Sequence, residues 1–411
     1  MTSEIKKQVN LLRQDLSIPG YSLEVYQSMA NVPTAWEIAQ PKDNIFLQRT
    51  YLSIMEKAPP KGMTLRYMLF YFKGKPIGLA LCQIQYFKAD QSLNMEEDQK
   101  TPCFFSTFAR FIRGLVASRV EFYTLACGNL LLTGEHGFYF KSNKISLAQQ
   151  FELVENGMIR LQKQMAKEGI MISAALIKDM YEDQRAHTTS LTEHSFNEFT
   201  IQPNMVMDLR PEWTCMDDYA AALYSKYRVR MRRARGKAKS LVLKELDLSM
   251  VEKSLSRLYE LYNSIAENSG FNVVNLNERY LLELKRELPD RFKLFGYFDE
   301  GELVAFYTTI HNGHELEAHF LGFDRRYNRS NQIYLNILYD IINIGIERGV
   351  DRIIFARTAM AIKSSVGAIA KEMYCYMRHR NAFSNRFLHP ILDYLKPNED
   401  WEARHPFKPV E

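Results

Sequence analysis

The chain has 411 residues, of which 46% are hydrophobic, and its 53 Lys+Arg against 48 Asp+Glu give a formal net charge of +5. This composition excludes a largely disordered chain, and the length predicts two domains of roughly 200 residues each. The five cysteines lack CxxC spacing, the start lacks an apolar signal core, and the most apolar stretch, 333–346, is interrupted by polar residues. We therefore expect no disulfide framework, no membrane span, and a soluble protein of the reducing cytoplasm.

The first half of the chain has the pattern of a strand hairpin, a strand, a helix and a further strand. Apolar residues alternate on both sides of the turn Lys73-Gly74-Lys75, which predicts an antiparallel hairpin. A glycine after Lys167-Glu168 predicts the end of the helix. In chain order the predicted elements are strands over 65–72, 76–87 and 122–132, a helix from about Ser146 to Gly169, and a strand over 170–177.

Residues 104–119 have the pattern of a basic amphipathic helix. We expect it to pack across a sheet. Peripheral contact with a membrane surface is the alternative, and it requires that the apolar face be exposed.

A break in the pattern near 208–213, where Leu209-Arg210-Pro211-Glu212 follows a strand, predicts the boundary between the domains. The predicted domains are 1–210 and 211–411.

A dense basic segment follows, with eight cationic side chains in the fourteen positions from Lys226 to Lys239. At helical spacing four of them share one face: Arg228, Arg232, Arg235 and Lys239. Such a face is either simply solvated, or it binds the phosphates of a nucleotide-bearing donor or of RNA. The sequence alone does not choose between those ligands.

The second half repeats the order of elements of the first. The turns Asp299-Glu300-Gly301 and Asn312-Gly313 separate three alternating strands, and Gly349 ends a helix with isoleucines at helical spacing. In chain order we predict strands over 291–298, 303–311 and 315–323, a polar loop over 324–330, a helix up to 348 and a strand over 350–356. Hairpins combined with strand–helix–strand units predict α/β domains with mixed sheets, present twice in tandem.

The polar loop before this helix is a candidate anion site. A helix start exposes unpaired N–H groups that hold phosphate, and Ser330 is a plausible N-cap. Arg325, Arg326 and Arg329 are electrostatically unfavourable for the helix itself, so they favour a bound anion. A surface loop is the alternative.

The strand over 315–323 supplies a candidate acid–base site. Its alternation places Glu315, Glu317 and His319 on one face, where burial could tune a general base, although a solvated face is equally compatible. The segment His314–His319 has HExxxH spacing, which does not match the HExxH spacing of zinc proteases, so we predict no metal site.

Residues 218–233 resemble the opening helix of the acetyltransferase-type domain found in FemABX-like proteins. The Phe-Asp-x-x-Tyr-x-x-Ser step from Phe323 to Ser330 extends the resemblance, as do a lysine, three residues and a glycine from Lys363 to Gly367. It covers 213–381, although Ile362 stands where that family usually has an aromatic residue. The first half is similar only in layout, as expected for tandem GNAT domains.

The resemblance implies transfer of an acyl or aminoacyl group to an amine by direct attack. It implies no bound cofactor, because acyl-CoA or aminoacyl-tRNA acts as a co-substrate. The acceptor would be a small-molecule amine or a peptidoglycan precursor of bacteria, and residues 1–210 would form the acceptor side.

In GNAT domains the donor's pantetheine lies where two central strands splay, which corresponds here to 315–323 and 352–356. In the catalytic step Glu317 or His319 would accept the amine proton, and Lys363 would stabilise the oxyanion or an acceptor anion. The resemblance implies donor phosphates at Arg325, Arg326, Asn328, Arg329, Ser330 and Asn331.

Two alternatives stay open. The basic segment suits an aminoacyl-tRNA-dependent transferase acting on a cell-wall precursor. The residue Ile362 and the lack of a decisive base suit a non-catalytic ligand-binding protein of the same fold.

Overall fold

The computed structural model describes residues 14–88, 121–141, 145–266, 274–394 and 401–409. Over these ranges the chain forms two mixed β-sheets with helices on their faces, which confirms the predicted α/β class and its tandem layout. The predicted helix at 104–119 lies outside the described residues.

The first sheet combines one long hairpin with a parallel pair of strands. Its strands are β1 Gln14–Asp15, β2 Tyr21–Tyr26, β3 Met63–Phe72, β4 Lys75–Lys88, β5 Glu121–Cys127, β6 Phe138–Phe140, β7 Ile172–Tyr181, β8 Asn197–Thr200 and β16 Met373–His379. Their order is β1-β2-β3-β4-β5-β7-β16-β8, and β6 pairs with β4. The strands β5 and β7 run parallel, while the hairpin β3–β4 is antiparallel, as predicted.

The second sheet repeats this arrangement. Its strands are β9 Asn204–Asp208, β10 Val242–Glu245, β11 Phe292–Asp299, β12 Glu302–Asn312, β13 Glu315–Phe323, β14 Arg352–Ile354 and β15 Ile369–Lys371. Their order is β10-β11-β12-β13-β14-β9-β15. The two predicted hairpins are present, and β13 runs parallel to β14.

Helices cover the faces of both sheets. They are α1 Ala35–Ala39, α2 Arg49–Lys57, α3 Leu147–Lys167, α4 Glu182–Arg185, α5 Thr189–Glu193, α6 Met216–Ala222, α7 Ser225–Lys237, α8 Leu248–Lys253, α9 Leu255–Ala266, α10 Tyr280–Glu287, α11 Arg325–Asn331, α12 Ile333–Arg348, α13 Met360–Ser364, α14 Ala382–Arg386 and α15 Leu388–Tyr394. Short 3₁₀ turns lie at Met29–Asn31 and Ile45–Leu47. Among the described residues, no helix has the length and apolar character needed to cross a bilayer.

Local sequence signals set the ends of the two long helices. Ser146 caps α3 with its side chain and forms a capping box with Gln149. Gly349 ends α12 in the left-handed conformation, with φ of 61°, as the glycine predicts. Both helices therefore begin or end where local chemistry satisfies unpaired backbone groups.

Each sheet contains one strand from the other half of the chain. The strand β16 lies between β7 and β8 in the first sheet, and β9 lies between β14 and β15 in the second. The predicted boundary at residue 210 therefore separates β9 and β16 from the sheets in which they lie. Because hydrogen-bonded strands cross in both directions, the two halves form one interlocked unit.

The two halves also share a hydrophobic core. One continuous cluster of buried side chains contains Trp36 and Phe46 from the first half and Leu261 and Phe306 from the second. Within it the hydroxyl oxygens of Tyr51 on α2 and Tyr280 on α10 lie 2.9 Å apart. This pair gives each buried phenol a hydrogen-bond partner, as buried polar groups require.

A buried group of three charges joins the halves at their contact. Asp179 on β7 binds Lys178 and accepts a hydrogen bond from the Arg357 guanidinium at 2.5 Å. All three side chains are buried. Although burial alone would raise the pKa of Asp179, the charges of Arg357 and Lys178 hold it well below its usual range. Removal of the carboxylate would leave two buried cations without a counter-charge.

We expect Asp179→Asn to lower the free energy of unfolding by about 3–5 kcal/mol, because it removes the negative charge but keeps the side-chain shape. Asparagine also tolerates the left-handed backbone of residue 179, whose φ is 66°. Urea denaturation at pH 7 measures the change. The matched control is the exposed neighbour Asp183→Asn, with a change within about 0.5 kcal/mol. Equal, small changes in both variants would contradict a stabilising role for the charge group.

Candidate functional site between the two sheets

The parallel pairing of β13 with β14 is short. It covers three residue pairs, from Glu315 opposite Arg352 to Glu317 opposite Ile354. The strand β14 then ends, while β13 continues to Phe323. A gap therefore opens beyond Glu317, between the two strands where the family resemblance implied a splay.

A bulge in β13 lies at the edge of this gap. The register between β12 and β13 shifts after Tyr307, so that both His319 and Phe320 face Thr308. The Phe320 N–H, which lacks a ladder partner there, donates to the Thr308 hydroxyl at 2.8 Å. The bulge thus fixes the direction of the His319 side chain through one buried threonine.

The gap contains a cavity of about 300 Å³ that both halves enclose. Its volume lies at the lower end of the range of small-molecule pockets, about 300–1,000 Å³. Most of its lining is apolar, and the polar side chains that line it include Lys178, Thr308, His319, Arg357, Thr358 and Lys363. An apolar wall with few polar groups is the usual composition of a ligand site.

Lys363 is held at the cavity by the chain that follows β14. Its Nζ donates to the carbonyl oxygens of Arg357 at 2.6 Å and Ala356 at 3.2 Å. Those carbonyls are positioned by an unusual turn in which Ala356 and Thr358 have positive φ. Burial lowers the pKa of Lys363 to about 7. Near neutral pH the amine is therefore partly unprotonated, with two N–H groups already committed to carbonyls.

His319 lines the same cavity between two hydroxyl groups. Its Nε2 lies 3.3 Å from the Tyr280 hydroxyl, and its Nδ1 lies 3.2 Å from the Thr308 hydroxyl. Burial lowers the pKa of His319 to about 3. The imidazole is thus neutral across the physiological range, and it is a weak base there.

Glu317 does not line the cavity, although it lies on the same strand as His319. It is buried, and burial together with the charge of Glu315 raises its pKa well above the usual range. Burial and the charges of nearby acids likewise raise the pKa of Glu135 to about 7. The structure thus brings together two of the three predicted catalytic residues, His319 and Lys363, and leaves Glu317 outside.

The predicted phosphate loop is a short helix, α11, and this corrects the prediction of an irregular loop. Ser330 is not the N-cap of α12, because its hydroxyl donates within α11 to the Arg326 carbonyl at 3.1 Å. The N-cap position belongs to Gln332, in the left-handed conformation with no side-chain cap bond. Instead the Asn328 side chain accepts from the Tyr334 N–H at 3.0 Å in the first turn of α12.

The arginines of α11 differ in their surroundings. Arg326 pairs with Asp324 at 2.6 Å, which neutralises part of the predicted charge. Arg325 and Arg329 are exposed. Tyr334, at the start of the helix that follows these arginines, lines the cavity. The positive charge that stays available for an anion is therefore smaller than the sequence suggests.

Most of the basic segment forms helix α7, which ends at Lys237, so that Lys239 lies beyond the helix and the four predicted residues differ in their surroundings. Arg235 binds Asp340 of α12 at 2.5 Å and lies over the Tyr339 ring, so it is a packing contact. Arg228 is half-buried, and Arg232 and Lys239 are exposed. This corrects the prediction of one shared anion-facing surface, since Arg235 already has a carboxylate partner.

The end of α7 adjoins the predicted phosphate site. The Asn331 side chain donates to the Lys237 carbonyl at 2.9 Å, which attaches α11 to the C-terminal end of the basic helix. The exposed cations Arg232 on α7 and Arg325 and Arg329 on α11 thus lie on neighbouring helices.

The two histidines of the HExxxH segment have different surroundings. His314 is exposed and lies 3.9 Å from Asp351, whereas His319 lies at the cavity. In the described ranges, no three His, Cys, Asp or Glu side chains are grouped so that they could hold a metal ion.

The equivalent gap in the first sheet is filled. There the parallel strands β5 and β7 remain paired up to Cys127 and Ile177. Immediately beyond them Gly128, with φ of 144°, makes room for Lys178, whose Cγ would lie 2.3 Å from a Cβ at position 128. In the first sheet a lysine side chain therefore occupies the position that corresponds to the gap in the second sheet.

Sequence reasoning missed the residues that the first sheet contributes to the cavity. Lys178 and Leu176 come from β7, and Cys375 and Met377 come from the exchanged strand β16. Burial and the charge of Asp179 raise the pKa of Cys375 to about 12. Gly128 is the local sequence signal for the position of Lys178 at this cavity, because a glycine there permits the close approach of the lysine side chain.

Comparisons with known proteins agree with this architecture. Residues 225–364 match the model of the acetyltransferase (GNAT) domain. The structure is similar to that of FemX, with 12% identity over 83% of this chain and 93% of that chain, and a TM-score of 0.51. It is also similar to a tandem GNAT protein from the clavulanic acid biosynthesis pathway (9% identity, 87% and 99% coverage, TM-score 0.47). A third similar structure is L-PGS from Bacillus licheniformis, with 11% identity over 83% of this chain and 95% of that chain, and a TM-score of 0.45. No curated protein matches the chain in sequence.

The fold and the matched domain place the protein in the class with a GNAT-type acyltransferase fold. Residues 225–364 thus match a GNAT acetyltransferase domain, and the fold is similar to that of FemX, in agreement with the resemblance found in the sequence. At 12% identity the likeness to FemX shows a common fold and leaves the donor and acceptor to be argued from the site.

We expect Glu317→Gln to stabilise the protein more at pH 8.5 than at pH 5.5. A carboxyl group whose pKa is raised by folding contributes fully at low pH, and its contribution is lost as the pH rises through the folded pKa. Glutamine mimics the protonated acid, so it removes that loss. Melting temperatures at both pH values measure the effect, with the exposed Glu193→Gln as control. The same difference from wild type at both pH values would show that Glu317 ionises without penalty.

Proposed function

We propose that the protein is an N-acyltransferase that moves an acyl group from an activated donor such as acyl-CoA to an amine acceptor. The observation that carries this proposal is the position of Lys363, a buried amine with a pKa of about 7, at an apolar cavity beside the gap between β13 and β14. A GNAT-type fold with such a gap suits a thioester donor.

The chemistry of the cavity fits the two ends of an acyl donor. The gap exposes the edge of β13 from Ala318 onward, where an extended arm with amide groups could pair with the strand. Apolar side chains from both halves suit the acyl chain. The exposed Arg325 and Arg329 suit donor phosphates. We assign the amine acceptor to the side of the cavity that the first half closes, because α11 and the basic helix lie on the other half.

We assign the role of general base to Lys363 rather than to Glu317 or His319. A base works best when its pKa lies near the working pH, which holds for Lys363 and does not hold for His319, whose pKa is about 3. Glu317 lies outside the cavity lining. His319 is then a neutral hydrogen-bonding group, positioned by Thr308 and Tyr280, that contacts the substrates.

The reaction follows by direct attack. The nitrogen of the acceptor amine attacks the acyl carbonyl carbon, Lys363 accepts the amine proton, and the C–N bond replaces the bond from the carbonyl carbon to the leaving group. That leaving group, a thiolate for an acyl-CoA, receives the proton. Cys375 is the cysteine of the described residues that lines the cavity, and a pKa of about 12 keeps its thiol protonated, so a covalent intermediate there is disfavoured.

An aminoacyl-tRNA donor is the second candidate. Arg232 is exposed on α7, and the end of this helix adjoins α11 through Asn331, which extends the basic region beyond what a small donor needs. Binding of this kind would weaken steeply with salt. A peptidoglycan precursor would then be the acceptor. A protein of this fold that only binds its ligand would keep donor affinity and show no turnover.

A thermal-shift screen with coenzyme A, acyl-CoAs of increasing chain length and charged tRNA tests the donor. Because a ligand that binds only the folded state stabilises it, we expect a saturable rise in melting temperature with acyl-CoA, larger for an acyl chain that fills the apolar cavity. A rise with charged tRNA alone, lost at high salt, would favour the second candidate. No shift with any of these donors would contradict acyl transfer from either.

We expect Lys363→Met to lose at least tenfold in kcat/KM with a native melting temperature, because methionine fills the same volume and cannot accept a proton. Wild-type kcat/KM should rise with pH up to about 7 and then level off, and the variant should lack that rise. The exposed Lys371→Met and the cavity variant Cys375→Ser are controls that should retain activity. Wild-type turnover in Lys363→Met, or its loss in Cys375→Ser, would contradict this mechanism.

A further inference from the structure

A second cavity, of about 750 Å³, opens on the first half between α3, the start of β7 and the end of β16. No Asp or Glu is among its lining residues. Its ionisable lining residues are Lys163, His194, Arg378, His379, Arg380 and Arg386. A concave surface with this composition attracts anions.

A buried carboxylate next to this cavity neutralises only part of its positive charge. Glu155, which is buried, accepts hydrogen bonds from the His194 imidazole at 2.6 Å and the Arg378 guanidinium at 3.2 Å. Lys163, Arg380 and Arg386 are exposed at the cavity. Three cations therefore remain for an external partner.

The rim of the cavity is a rigid part of the fold. The Asn385 side chain accepts from the His379 N–H at 2.7 Å and donates to the Ser195 carbonyl at 2.8 Å, which fixes α14 to two neighbouring segments. Asn381 caps α14 by accepting from the Ser384 N–H at 3.0 Å. The surface is thus preformed, which lowers the entropic cost of binding.

Large apolar side chains project next to these cations. Phe383 is 75% exposed and Phe387 is 48% exposed, and their ring centroids lie 5.2 Å apart. Met171, which lines the cavity, is 44% exposed. On α14, Ala382 and Arg386 lie one turn apart and line the cavity, so Phe383 falls on the adjacent face of the same turn.

We propose that this surface docks on an anionic phospholipid bilayer. Phe383 and Phe387 would enter the interfacial region, and the basic cavity would receive a lipid phosphate with Arg380 and Arg386. Exposed aromatic side chains beside arginines match the two layers of a membrane surface, an apolar interior and anionic headgroups. The surface lies outside the cavity between the two sheets and is independent of the acyl-transfer proposal.

The arrangement of the two phenylalanines favours a bilayer over single-stranded RNA. Bases stack on aromatic faces that are open to them. Here the two rings pack against each other at an interplanar angle of 62°, so each covers part of its neighbour. Insertion of the two side chains into a bilayer has no such requirement, because it depends on their apolar area and not on open ring faces.

Co-sedimentation of the full chain with vesicles tests this proposal. At about 0.1 M salt, where charges within about 10 Å still interact, we expect retention on phosphatidylglycerol-rich vesicles and little on pure phosphatidylcholine. Phe383→Ser with Phe387→Ser should reduce the bound fraction at least about fivefold, as should Arg380→Glu with Arg386→Glu. Melting temperatures of the variants are measured alongside, so that a folding defect is recognised.

Two matched controls separate this surface from general charge and apolarity. Lys73→Glu with Lys75→Glu makes the same charge change on exposed residues of the β3–β4 turn, and Ile369→Ser removes another exposed apolar side chain. Both should bind vesicles like the wild type. The proposal would be overturned if vesicles did not retain the wild type, or if they retained all variants equally. It would also be overturned if the wild type bound RNA in place of vesicles and the Arg380→Glu/Arg386→Glu variant lost that binding.

Discussion

The short parallel pairing of β13 with β14 is the constraint on which the site depends. Its three residue pairs are enough to fix the strand order, and their end at Glu317 and Ile354 opens the gap. Because the bulge at His319 and Phe320 occurs directly beyond that end, the strand edge and an imidazole lie at one cavity. In the first sheet Lys178 fills the corresponding place. The two copies of the fold therefore differ at this position in the described part of the chain.

The charges that hold the halves together also shape this site. Arg357 binds Asp179 across the contact, and its carbonyl accepts from Lys363, so one residue connects the buried ion group to the amine. The low polarity that lowers the pKa of Lys363 is maintained by apolar side chains from both sheets. Stability and chemistry thus have a common cause, the exclusion of water between two interlocked sheets.

Local patterns predicted most of the elements, because hairpin turns and helix ends are determined by nearby residues such as Ser146 and Gly349. The exchange of β9 and β16 was not predictable, since it depends on pairing between residues far apart in the chain. For the same reason the sequence did not indicate Lys178 and Arg357 as residues of the cavity. Glu317 was predicted as a candidate base together with His319, because strand alternation places both side chains on one face. Ser330 was predicted as a cap from residue type, whereas Asn328 provides the side-chain bond in the first turn of α12.

The central claim is that the gap beside β13 binds an acyl donor next to Lys363, and calorimetric titration with a non-hydrolysable acyl-CoA analogue tests it most directly. Ala318→Trp would fill the cavity from β13, and Ala318→Ser is the conservative control. We predict saturable binding by the wild type and by Ala318→Ser, and at least tenfold weaker binding by Ala318→Trp at an unchanged melting temperature. Equal affinity in all three proteins, or no binding by the wild type, would contradict the account.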